Sequence, residues 1–192
     1  MTLPAFSLTL ALAAVIGQAA TAPVSSPPTT PATVTADAYL PGAAGAPAAT
    51  ITMQINRYST QVDLDAVANA LKHGGYPGFL TALRQVPVVG TVTVAGETVN
   101  IRWAREQLVP DARSVVLITD KPVFFVGAGR IDAKPRAGYQ VAVLQYTLAD
   151  AGTGTGSIAA AALVKPGGPT GVTVDDYSDK PIELKNIKST GK

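Results

Sequence analysis

The stretch GYQVAVLQYTLADAGTGTGSIAAAALVK, residues 138–165, decides how this chain folds. In its first half Leu144, Tyr146 and Leu148 alternate with Gln145 and Thr147, the period of two that marks a half-buried strand. Its second half, residues 158–164, is a run of small and branched apolar residues. The glycines of GTGTG, residues 152–156, lie between the two halves and read as a turn. Strands joined so tightly are antiparallel neighbours.

The same arrangement repeats outward in both directions. VGTVTVAG and ETVNIRWAREQ meet at Gly96, RSVVLITD and PVFFVGAG meet at DKP, and GVTVDDYS and PIELKNIK close the chain. Upstream, TVTADAYL and TITMQINRY are split by PGAAGAP. That makes about ten short strand candidates joined mostly by turns. Nothing recurs at a long fixed period, which excludes solenoids and propellers. A meander of this kind manages its edges by closing into a barrel or by splitting into a sandwich.

One region breaks the pattern. In STQVDLDAVANALKHGG, Leu64, Val67, Ala68 and Leu71 fall on one helical stripe. Asp63 stands three residues after Thr60, as a capping box requires, and Gly74 and Gly75 read as its stop. A second short helix is expected in PGFLTALRQV, with Pro77 in its first turn. The predicted fold is therefore α+β, mostly antiparallel β: a meander barrel or sandwich with a short helical pair after the second strand.

Composition narrows the function. The chain has 192 residues, 15% of them charged, and a net charge of +2, which is enough for one core and too little positive charge for a nucleic-acid binder. It has no cysteine and one histidine, so thiolate chemistry, cysteine metal sites and sites with two imidazoles are excluded. No cofactor is expected.

The N-terminus reads as an export signal. Residues 3–16 are a short apolar run, small residues follow as far as Ala22, and the first charge is Asp37. The run is short for a membrane span. Residues 1–20 are thus expected to be a signal peptide and 21–31, TAPVSSPPTTP, an extended linker. Residues 32–188 form a single β-rich domain, placed in the periplasm or outside the cell with no transmembrane span in the mature protein.

Candidate site residues are few. The segment VGAGRIDAKPRAGYQ, residues 126–140, carries Arg130, Lys134 and Arg136 against a single acid, Asp132. No helix pattern follows its glycines, and Pro135 opposes one, so it is no nucleotide cradle. It reads as a long loop that returns at Tyr139 and, if it binds anything, binds an anion. In ETVNIRWARE, strict alternation puts Val99, Ile101, Trp103 and Arg105 on one face, where Trp103 and Arg105 could orient an anionic or aromatic ligand near a barrel rim. His73 sits where a cation suits a helix end. No G-x-S-x-G elbow, H-E-x-x-H pair or calcium loop is present.

The runs FFVGAGRIDAKPRAGYQVAVLQYTLADAGTGTGSIAAAALVK and VDDYSDKPIELKNIK, with INRYSTQVDLDAVANALKHGG before them, resemble an uncharacterised family of small exported bacterial proteins of the Acidobacteria kind. The resemblance spans residues 32–188. It implies export and a shared fold and carries over no catalytic residue. The function expected is an exported, non-enzymatic module that binds a small or envelope-derived ligand. The alternatives are a structural or partner-binding envelope protein, or an extracytoplasmic enzyme in which an acid converges with Arg105 or Lys134.

Overall fold

Antiparallel pairing of sequence neighbours carries the chain around a closed barrel. The computed structural model describes residues 8–9, 31–42, 45–123, 138–149, 153–167, 172–177 and 180–191. The elements are β1 (Leu8–Thr9), β2 (Ala32–Tyr39), β3 (Ala49–Ile55), α1 (Gln61–Gln85), β4 (Gly90–Val94), β5 (Glu97–Val109), β6 (Ala112–Thr119), β7 (Val141–Ala149), β8 (Thr153–Pro166), β9 (Val172–Asp176) and β10 (Ile182–Gly191). From β2 to β8 each strand pairs with the next, and β10 pairs with both β8 and β2, so eight strands close the sheet on itself. β9 pairs with β8 beyond the stretch that β10 occupies, and β1 lies along the other edge of β9, Leu8 opposite Val174. Apart from Leu8–Thr9, the expected signal peptide lies outside the described residues, as do the linker up to residue 30 and residues 124–137 of the expected basic loop.

Closure depends on β8. Its 14 residues pair with β7 along one edge and with β10 and then β9 along the other. The GTGTG motif is not the turn that its glycines imply, because β8 already begins at Thr153. Gly156 is needed there for space: a Cβ on it would meet Gln145 O at 2.4 Å and the Cβ of Tyr146 at 2.6 Å. A glycine inside a strand marks such a close backbone approach.

The chain has two apolar layers. Met53, Ile55, Ile101, Leu117, Leu144 and Ile158 belong to the inner one, which fills the barrel. Val67, Leu71, Phe79 and Leu83 of α1 form the outer one against Trp103, Ile118, Val143 and Val164 on the outside of the wall. Residues 158–164 are apolar without alternation for this reason: one face of the strand looks into the barrel and the other lies under α1.

The helical region Gln61–Gln85 is interrupted at Gly75, whose backbone is not helical, so two helical segments meet there at a kink. Thr60 is its N-cap, and its side chain and that of Asp63 form the reciprocal capping box. The break is at Gly75 (φ 59°, ψ −157°), and Pro77 lies in the turn that follows. Such a φ/ψ pair is open essentially to glycine alone. His73, just before the kink, sets its Nδ1 2.9 Å from the Asn69 carbonyl oxygen. No helix among the described residues is long and apolar enough to cross a membrane.

Candidate functional site

β5 holds the irregularity that builds the site. Its pairing with β6 shifts between Ile101 and Trp103. A bulge inserts one residue and turns every later side chain to the opposite face. Ile101 therefore faces the barrel interior and Trp103 the outer layer, with Ala104 interior again. Strict alternation had grouped Ile101 with Trp103 and Arg105; the bulge separates them. Glu106 follows Ala104 on the interior face.

β5 and β6 are joined by Pro110 and Asp111, the latter at φ 56°. Proline followed by a residue of positive φ is the pattern of a tight type II turn, and aspartate tolerates that conformation. The turn returns the chain so that Leu108 stands opposite Arg113 and Glu106 opposite Val115. Glu106 Oε1 and Arg113 Nη1 are then 3.4 Å apart, on side chains 8% and 35% exposed. On the next strand Arg113 faces Leu148. Tyr146, buried on the interior face of β7, lies deeper in the same end of the barrel.

Tyr58 completes the group. It follows β3 at this end, where Ser59 N–H donates to the Ala104 carbonyl and Ser59 Oγ accepts from Ala104 N–H. Burial, then the charge of Glu106 and a hydrogen bond to it, push the Tyr58 hydroxyl well above the ordinary phenol range, with Arg113 opposing. Burial pushes Tyr146 up as well, and Tyr58 and Glu106 add to it. At neutral pH both phenols are therefore neutral donors. Among the described residues the exposed large hydrophobics are Val62, Val88, Leu108 and Val109. Of these, Leu108 and Val109 belong to the β5–β6 hairpin.

The residues singled out in the sequence are dispersed. Trp103 is buried beneath α1, and with Leu71, Phe79, Ile118 and Val172 it lines an apolar cavity of about 20 Å³. That is room for about one water, and its walls offer a water no partners. Arg105 lies on the outer face of the wall, opposite Val116. Tyr139 is at the other end of the barrel, edge-on to Tyr177 with ring centroids 5.5 Å apart. Beside it, Gln140 N–H donates to the Tyr76 hydroxyl at 2.9 Å, which ties α1 to the start of β7. Arg130, Lys134 and Arg136 lie outside the described residues.

A second polar group serves the architecture. Asp120 Oδ2 accepts from Asn100 Nδ2 at 3.0 Å and from Arg102 Nε at 3.4 Å, and Arg102 Nη1 donates to the Val86 carbonyl at 2.9 Å. This clamps the end of α1 to the wall. Among the described residues no three acidic or histidine side chains converge as a metal site would need.

Glu106, Arg113, Tyr58 and Tyr146 went unnoticed in the sequence. The available signal was an acid and a base on either side of Val-Pro-Asp-Ala, a spacing that brings them together only once the turn and the bulge are known. No protein-family model, curated protein or solved structure matches the chain.

Proposed function

We propose that this protein is an exported, non-enzymatic β-barrel module that binds a small or envelope-derived ligand, and that it does so at the β5–β6 mouth rather than inside the barrel. The carrying observation is the convergence of Glu106, Arg113 and Tyr58 at the rim of a barrel whose interior is packed with buried apolar side chains. Binding sites combine apolar walls with a few convergent polar groups, and here that combination occurs at a mouth. Export is supported by the N-terminal apolar run and by the resemblance to small exported bacterial proteins. The exposed Leu108 and Val109 of the hairpin also support a partner-binding envelope protein, which would use the same end of the barrel.

The test is a fragment screen of the isotopically labelled protein by NMR, with carboxylates, polyols and amines as separate pools. Hits are expected to move the signals of Tyr58, Leu108 and Arg113 and to leave Met53 and Leu144 in place. Hits that instead perturb the barrel interior, or no hit at the mouth from any pool, overturn the proposal.

A further inference from the structure

We propose that the β5–β6 mouth selects an amphiphile, an anionic head on a short apolar chain, with Arg113 as the head's partner and Leu108 as the first apolar contact. The inference rests on the reading of this mouth as the binding site. Arg113 is the middle of a cross-strand row, Leu108–Arg113–Leu148, over three neighbouring strands. Leu108 is 58% exposed although it shares the interior-facing row with Ala104 and Glu106. A leucine left in water directly beside an arginine offers apolar area and charge within one side chain's reach.

Arg113 also has donors to spare. A guanidinium carries five N–H groups. Among the described residues its ion pair is the single contact with Glu106 at 3.4 Å, long for a charge-assisted bond. Glu106, on a side chain only 8% exposed, holds the arginine at the rim without saturating it. A carboxylate or phosphate head can take the remaining donors in paired geometry, while a chain lies over Leu108. A neutral sugar would use the donors and leave the leucine uncovered; a bare inorganic anion would do the same.

Such a head group could be a free carboxylate or part of a membrane surface, and the experiment separates them. The full-length protein is titrated by NMR with octanoate, octanol and acetate, and is co-sedimented with vesicles of phosphatidylcholine alone or mixed with phosphatidylglycerol. Octanoate is expected to bind at Leu108 and Arg113 more tightly than octanol or acetate. Arg113→Gln should weaken octanoate about tenfold or more, the scale of one charge-assisted hydrogen bond, and Leu108→Ser should weaken it while leaving acetate unchanged. Arg113→Lys keeps the charge and controls for folding. Sedimentation with the anionic vesicles that Arg113→Gln abolishes identifies a membrane-borne head; binding of octanoate without sedimentation identifies a free one. Equal affinity for octanol, equal affinity for acetate, or octanoate binding indifferent to Arg113 overturns the inference. A polyol bound at the same residues would overturn it while leaving the mouth as the binding site.

Discussion

Tyr146 and Tyr58 show how far burial shifts the chemistry of a single residue in this protein. Both hydroxyls lose water on folding, and both meet the negative charge of Glu106. The unfolded chain ionises its phenols at about pH 10, whereas the folded protein holds these two protonated to higher pH. Above pH 10 the unfolded state therefore sheds protons that the folded state keeps, and stability falls as pH rises. Stability measured by urea titration should be flat with respect to these groups below pH 10 and decline above it. Tyr146→Phe, which keeps the ring and removes the ionisable hydroxyl, should make that decline shallower. Parallel pH profiles for the variant and the parent would show that the alkaline sensitivity comes from elsewhere. The sequence marked Tyr146 only as one residue of a half-buried strand face and carried no sign that Tyr58 and Glu106 would meet it. The partners of each are fixed by segments far from it in the chain.

At the scale of elements, α1 was the most legible part of the molecule. The Thr60–Asp63 box and the Leu64, Val67, Leu71 stripe depend on spacings of three or four residues, which sequence displays directly. Thr60→Ala should cost about 1 kcal/mol, the usual value of an N-cap. Leu71→Ala should cost roughly 2–5 kcal/mol, because Leu71 is buried against the wall. Gly75→Ala should cost about 1–3 kcal/mol through its backbone conformation alone. Thermal or urea unfolding of the three variants checks the order, and a neutral Gly75→Ala would show that the kink is not a rigid feature. The glycine pair was read as a stop, and the helical backbone is interrupted there, at Gly75. Here the chain uses Gly75 to change direction, and Pro77 needs no N–H partner in the turn that follows. The β5 bulge had no comparable local signal: ETVNIRWARE reads as unbroken alternation, and the shift shows only in its pairing with β6.

For the whole molecule, the two apolar layers share one wall. Trp103, the only tryptophan, lies between α1 and the outside of the barrel, while the strands report through the backbone. If the layers are one cooperative unit, tryptophan emission and far-ultraviolet circular dichroism should follow the same urea transition, with emission starting blue-shifted and moving red. A fluorescence transition that precedes the loss of strand signal would mean that α1 peels from the barrel as a separate unit.

By itself the sequence determined the antiparallel strands, most of the turns between them and the capped start of the helix, since each follows from residues a few positions apart. Of the expected strands, PVFFVGAG lies almost wholly outside the described residues; the others are present. Tertiary structure alone decided that the sheet closes. Closure rests on β10 meeting β2 across more than a hundred residues and on β8 pairing along both edges, and no local period encodes either. It also decided which residues meet at the mouth. A one-residue bulge costs little locally yet reverses the face of all that follows, and so it carried Trp103 out of the barrel and Glu106 in, beside Arg113.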